Sequence, residues 1–290
     1  MFTGSLVALV TPFKQGMVDE DKLVELVEFH VQKGTNGLVP CGTTGESATL
    51  SHEEHQRVIE ITIKAARKRI PVIAGTGSNN TEEALMLTRF AQEAGADAVL
   101  MITPYYNKPT QKGLYLHFKK VAEEIDIPII LYNIASRTGV NLEPETLARL
   151  AGIKNIIGIK EASGNLDQVS RMISLCGDKI TVISGDDSLT LPILAVGGKG
   201  VISVIANILP AEMSTLVKEY LQGNVNKARE IHYRLYPLIR ALFIETNPIP
   251  IKTAMALMGM IREELRLPLA PMEESNRDRL KKIMQDYGLI

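Results

Sequence analysis

Ile156-Ile157-Gly158-Ile159-Lys160 is a short apolar run that ends on a cation. Its length and its β-branched content suit a strand buried on both faces, the kind found in parallel sheets. Working outward from it, seven more such runs recur, at Ser5–Val10, Gly37–Pro40, Pro71–Ala74, Ala98–Ile102, Pro128–Leu131, Ile180–Ile183 and Gly200–Val204. Between nearly all of them the pattern changes to helical spacing. Leu23, Val27 and Val31 fall on one helix face, Ser51 and Glu54 have the spacing of a capping box, Asn80 and Thr81 offer caps, and Gly95 marks a helix end. Eight βα units predict an α/β fold closed as a (β/α)8 TIM barrel, with an open doubly wound sheet as the alternative. Past the eighth run, four helical segments at Glu212–Leu221, Ala228–Leu242, Ile251–Met260 and Asp278–Tyr287 exceed one closing helix. The expected division is a catalytic barrel over 1–224 and a C-terminal helical extension over 225–290, with Pro248 and Pro250 breaking the chain inside it.

Composition narrows the function. The 290 residues are 45% hydrophobic and 22% charged, with a formal net charge of −1. Such a balance sets up no strong field to hold nucleic acid or an anionic membrane. The cationic stretch Lys64-Ala-Ala-Arg-Lys-Arg69 reads as a helix C-terminal turn favoured by the dipole. Two cysteines, Cys41 and Cys176, make no disulfide framework and suggest a reducing compartment. The apolar stretch Leu6–Val10 is too short for a signal peptide or a membrane span, so a cytoplasmic protein is expected. His52 and His55 have ligand-compatible spacing, but the His-Glu-x-x-His pattern and a third ligand are lacking, so no metal is expected.

Catalytic groups of a barrel belong at the C-terminal ends of its strands. Those ends are polar here: Gly42-Thr43-Thr44-Gly45-Glu46, Gly75-Thr76-Gly77-Ser78-Asn79, Thr103-Pro104-Tyr105-Tyr106-Asn107, Tyr132-Asn133, Lys160-Glu161 and Ser184-Gly185-Asp186-Asp187. Lys160 is the most informative of these residues. A lysine at a barrel mouth is partly desolvated, which lowers its pKa and frees a neutral amine to form an imine with a ketone. Pairing with Glu161, or reaching out to water, is the alternative. Lys252 is the rival nucleophile, but it stands at a probable helix start from which it would snorkel to the surface. The Gly42–Glu46 loop offers backbone N–H groups and two hydroxyls to a carboxylate, though such a loop is often only a turn. It lacks the lysine of a phosphate loop, and Gly75-Thr76-Gly77 lacks the third glycine of a dinucleotide site. Tyr105, Tyr106 and Tyr132 could relay protons or simply pack, and Arg137 could clamp a carboxylate.

Four stretches in order, Gly42–Glu46, Thr103–Asn107, Tyr132-Asn133 with Arg137-Thr138-Gly139, and Gly158–Ser163, resemble the dihydrodipicolinate synthase family of pyruvate-dependent class I aldolases. The resemblance continues through Asn247–Lys252 and Leu265–Pro268. It implies a lyase of lysine and diaminopimelate biosynthesis that condenses pyruvate with aspartate 4-semialdehyde and needs no cofactor. It implies Lys160 as the Schiff-base residue, Tyr132 as the proton-transfer phenol and Thr43 as its link. Tyr106 would be lent by a neighbouring subunit, and the assembly would be a homo-oligomer, commonly a tetramer. Thr44 would hold the pyruvate carboxylate and Arg137 that of the aldehyde, while Gly185 and Ile202 would line the pocket. A sister 2-keto-acid aldolase such as N-acetylneuraminate lyase is the alternative, and Arg137 is the residue that discriminates. One departure is Ile134-Ala135-Ser136, where the family usually carries a proline before the arginine.

The resemblance also implies allosteric inhibition by lysine. Ser47, Ala48, His52, His55, Asn79, Glu83 and Tyr105 match the positions of the family's lysine pocket. Glu83 would meet one ammonium, and Asn79 and Tyr105 would bind the carboxylate. His52 and His55, in a first helical turn where the dipole disfavours the imidazolium, would accept hydrogen bonds from the other ammonium. A capped helix with two exposed histidines is the alternative.

Overall fold

The computed structural model describes residues 2–290. Eight strands alternate with helices: β1 (Gly4–Ala8), α1 (Glu20–Gln32), β2 (Gly37–Val39), α2 (His52–Ala66), β3 (Ile73–Gly75), α3 (Thr81–Ala94), β4 (Ala98–Ile102) and α4 (Gln111–Glu124). There follow β5 (Ile129–Asn133), α5 (Pro144–Leu150), β6 (Ile156–Glu161), α6 (Leu166–Cys176), β7 (Thr181–Ser184), α7 (Thr190–Ala195), β8 (Gly200–Ser203) and α8 (Pro210–Leu221). All pairings among these strands are parallel, in the order β2-β1-β8-β7-β6-β5-β4-β3. A parallel bridge between Leu38 and Val72 joins β2 to β3 and closes the ring. The chain is therefore a (β/α)8 barrel and not an open sheet. A small antiparallel hairpin, Phe13–Lys14 with Met17–Val18, covers the entry to α1.

Closure sorts the strand side chains into two cores. Leu6, Ala8, Val39, Ile73, Ala98, Leu100, Ile130, Tyr132, Ile183 and Ile202 fill the interior. The alternate residues, such as Val7, Leu38, Val99 and Leu131, face the helices. The caps expected from sequence hold their helices: Ser51 and Glu54 form a reciprocal capping box on α2, Asn80 caps α3, and Gly95 ends α3 in the left-handed region.

After α8 come three more helices, α9 (Val225–Ala241), α10 (Ile249–Leu257) and α11 (Glu274–Asp286). Leu235, Leu238 and Ile239 of α9, Met255 of α10, and Leu280 and Met284 of α11 belong to the same apolar shell as the barrel helices. Among the described residues no helix is long and apolar enough to cross a membrane.

Alternation along β6 is broken at one place, and that break aims the decisive side chain. Ile156 and Ile159 face the helical shell, whereas Ile157 packs on the interior cluster. In an unbroken strand Ile156, Gly158 and Lys160 would share one face. The β5–β6 register instead shifts between Ile129, opposite Ile156, and Ile130, opposite Gly158. The extra residue reverses the faces beyond it, so Lys160, opposite Tyr132 and Ile183, points into the barrel.

Two histidines lie buried in the helical layer. His30 bonds to the Thr35 hydroxyl through Nδ1 at 2.9 Å, and burial lowers its pKa to about 3. His117 bonds to Thr81 at 2.9 Å, and burial lowers its pKa to about 4. The unfolded chain takes up these protons below about 6.5, and each unit of difference is worth about 1.4 kcal/mol. The stability this provides is whole above about pH 6.5 and drains away as pH falls towards the folded values. Urea midpoints measured from pH 7 to pH 4 should therefore fall, and His30→Gln, which keeps a hydrogen-bonding group, should flatten the fall.

Candidate active site

Lys160 ends β6 inside the barrel and is buried. Its Nζ lies over the Tyr132 ring, 4.2 Å from the centroid. Burial drives its pKa down to about 7; the carboxylate of Asp187 opposes the fall, and the Arg137 guanidinium adds to it. The desolvated amine expected from the apolar run is therefore present. Glu161, the alternative partner, points the other way. Its carboxylate accepts from Asn133 Nδ2 at 3.0 Å and from the Ser163 backbone N–H at 2.7 Å.

Gly185 explains how the amine is accommodated. A Cβ there would stand 2.8 Å from Ala162 Cβ and 3.1 Å from both Cγ and Cε of Lys160, so only glycine leaves room. Ile202 closes the interior as a buried member of the inner core. Thr43 stands beside the Tyr132 phenol; burial raises the phenol's pKa to about 12, against the pull of Arg137 and Thr43. It is thus a neutral hydroxyl that can pass a proton without resting as phenolate.

Arg137 sits in a single helical turn, Ala135–Thr138, closed by Gly139 in the left-handed region. The turn is braced by Arg137 and Thr138 N–H bonds to the Ile134 carbonyl at 3.0 and 3.1 Å. The Thr138 hydroxyl also meets that of Thr103 at 3.2 Å. The departure Ile134-Ala135-Ser136 thus leaves a fixed turn without proline. Arg137 donates Nη2 to the Asn247 carbonyl at 2.9 Å, and Asn247 Nδ2 donates to Thr44 Oγ1 at 3.0 Å.

Asn247 was quoted in the sequence only as part of a proline-broken segment, yet it joins both carboxylate-binding candidates. Asp187 is a second residue the sequence left without a role. It is buried near Lys160, and its Oδ2 accepts from the N–H groups of Val204 and Ile205 at 2.9 and 3.0 Å. Desolvation raises its pKa to about 6. The polarity of Ser184–Asp187 was legible, but which carboxylate turned inward was not.

Lys252 corrects an expectation. It does not snorkel: it is wholly buried, donates to the Thr11 carbonyl at 3.0 Å, and forms an ion pair with Glu46. A lysine paired in this way is a poor nucleophile. Tyr106 stands apart from the other candidates. It is 87% exposed, with φ of 72°, and touches nothing of its own chain's site.

One cavity of about 440 Å³ runs from Thr43, Tyr132 and Arg137 to Ser47, Ala48, His52, His55, Glu83 and Tyr105. His52 Nε2 meets Glu83 Oε1 at 2.6 Å, and the Ser78 hydroxyl donates to the other Glu83 oxygen. His55 Nε2 meets the Gly75 carbonyl at 2.7 Å, and burial lowers its pKa. Since a carbonyl only accepts, Nε2 of His55 carries the proton and Nδ1 is the bare nitrogen. His52, facing a carboxylate, donates to Glu83 through Nε2, so Nδ1 is the nitrogen left to accept. Asn79 does not line the cavity; its carbonyl accepts from Asn107 Nδ2 at 2.9 Å.

Against known proteins, residues 1–287 match the model of the dihydrodipicolinate synthetase family. The chain belongs to the dihydrodipicolinate synthetase family. A 4-hydroxy-tetrahydrodipicolinate synthase of Syntrophus aciditrophicus is 63% identical over the whole of both chains. The chloride-inhibited dihydrodipicolinate synthase of Acinetobacter baumannii, solved in complex with pyruvate, is 47% identical with a TM-score of 0.98 over the whole of both chains. The enzyme of Cyanidioschyzon merolae, solved with lysine bound, is 40% identical with a TM-score of 0.97, covering all of this chain and 99% of that one.

The low pKa of Lys160 sets a pH dependence. The ammonium is inert towards carbonyls and the free amine is reactive. Borohydride trapping of a small 2-oxo acid should rise through about pH 7, some three units below the range of an ordinary lysine. A rise centred near pH 10 would contradict the buried, unpaired amine.

Proposed function

We propose that this chain is a 4-hydroxy-tetrahydrodipicolinate synthase, joining pyruvate to L-aspartate 4-semialdehyde through an imine on Lys160. The observation that carries the reading is one neutral-prone amine inside the barrel, set over the Tyr132 ring and within the field of the Arg137 guanidinium, which Asn247 links to the Thr44 hydroxyl. The family and the relatives described above support the same activity.

The chemistry follows from those groups. The Lys160 amine attacks C2 of pyruvate, and the carbinolamine loses water to give the imine. A methyl proton then leaves, forming an enamine whose carbon attacks the aldehyde. The amino group of the second substrate finally displaces Lys160 at C2, closing the ring and restoring the amine. The net products are the hydroxylated ring and one water. Tyr132, with Thr43 beside it, shuttles the protons, while Thr44 holds the pyruvate carboxylate and Arg137 that of the aldehyde. Gly185 leaves room for the Lys160 stem, and Ile202 packs in the inner core. Two clamped anions react from fixed positions, which removes much of the entropic barrier.

Tyr106 completes the relay of a neighbouring subunit in this reading, and the working form is a homo-oligomer. Its exposure in a single chain leaves the phenol free to reach a neighbour's site, which is compatible with that assignment. The far end of the cavity is a lysine site. Glu83, oriented by His52 and Ser78, receives one ammonium, and bare Nδ1 of His55 is an acceptor for the other.

A coupled assay with both substrates should give turnover, and Lys160→Ala should abolish it along with the borohydride adduct. An adduct mapped to another lysine would remove the assignment. Arg137→Ala deletes a charge-assisted contact worth roughly 2–4 kcal/mol. Aldehyde KM should therefore rise steeply while pyruvate adduct formation persists; equal loss of both would make Arg137 structural. Millimolar lysine should inhibit without competing with pyruvate, and Glu83→Ala should relieve it. Full activity at tens of millimolar lysine would leave the distal pocket without that ligand.

A further inference from the structure

We propose that the buried Glu46–Lys252 ion pair positions the Thr43 and Thr44 hydroxyls for the 2-oxo acid; this rests on the reading of Lys160 as the imine-forming residue. The two side chains are wholly inaccessible to water. A pair taken so completely from water gains little over apolar residues of the same volume, because desolvation consumes most of the attraction. What such a pair offers is definite geometry.

The geometry falls on the catalytic loop. The Glu46 N–H donates to the Thr43 carbonyl at 3.1 Å, and the N–H groups of Gly45 and Ser47 donate to the Gly42 carbonyl at 3.1 and 3.3 Å. Glu46 thus closes the turn that presents Thr43 and Thr44. It does so at φ of 53°, a left-handed conformation that a residue with a Cβ adopts only against steric resistance. Its carboxylate is gripped at both oxygens, Oε1 by Lys252 and Oε2 by the Arg266 backbone N–H at 3.1 Å.

The cation is fixed in turn. Lys252 donates to the Thr11 carbonyl at 3.0 Å and stands 4.2 Å from the centroid of the Phe13 ring. The Thr11 hydroxyl donates to the Gly45 carbonyl at 2.7 Å, which brings the same anchor back to the loop. Asn247, which precedes Lys252 in the same segment, holds the Thr44 hydroxyl at 3.0 Å. The segment 247–252 therefore grips the loop twice, at Thr44 directly and at Glu46 through charge. Hydroxyls displaced by about 1 Å lose much of their effect on a bound substrate, so the pair acts on pyruvate through the loop without touching it.

The test compares wild type with Glu46→Gln/Lys252→Met, which removes both charges and keeps the volume. Thermal unfolding, borohydride labelling at Lys160 and the two Michaelis constants are measured. The double variant should fold and label, with pyruvate KM raised about tenfold and aldehyde KM changed by less than about twofold. Glu46→Asp keeps both charges and shortens the arm; it should raise pyruvate KM alone and decides the matter if the double variant does not fold. Wild-type pyruvate KM in a folded variant, or an equal rise in both constants, overturns the proposal and leaves the pair a stability element. Absence of a Lys160 adduct in the wild type would instead overturn the reading of the site, and this inference with it.

Discussion

The structure turns on the cost of holding an amine away from water. A closed eight-stranded barrel has an interior just wide enough for side chains to fill, so a cation at its mouth loses most of its hydration. Such a group is tolerated by giving up its proton or by gaining a partner. This chain uses both remedies, in different places. Lys160 faces an aromatic ring and a carboxylate that only partly offsets burial, and its pKa falls to about 7. Lys252 is paired with Glu46, and that partner opposes the fall in its pKa. Identical side chains are thereby separated into a desolvated amine and an ion-paired one, and Asp187 and Glu46 mark the difference.

Much of this was legible in the residues. The eight apolar runs and the capping pair Ser51/Glu54 follow from local rules that tertiary structure had no reason to override. Lys160 was legible because a cation ending such a run is unusual. Its inward aim was not, since that depends on the extra residue at Ile157 and on the register with β5. Nothing in a single strand's sequence records its neighbour's register.

The partners of the candidate site residues were hidden for a related reason. Glu46 meets Lys252, and Thr44 meets Asn247, across roughly two hundred positions of chain. Lys252 looked like a surface residue because it begins a helix, a place where long cations usually reach for water. Burial of that helix start by the segment around Arg266 and by Phe13 reverses the expectation. The pairing of His52 was hidden on the same scale, because helix α3 supplies the carboxylate that takes its Nε2 proton.

The continuity of the cavity has a consequence for how the two ends can change. Walls separate functions and let each drift independently; here Thr43, Tyr132 and Arg137 line the same cavity as His52, His55 and Glu83. A substitution that enlarges or shrinks the end at His52 and Glu83 alters the volume open to the end at Tyr132 and Arg137. Changes at the two ends are then neighbouring steps in sequence space. A synthetic molecule anchored on the Arg137 guanidinium likewise has a path to grow towards Glu83 without crossing protein.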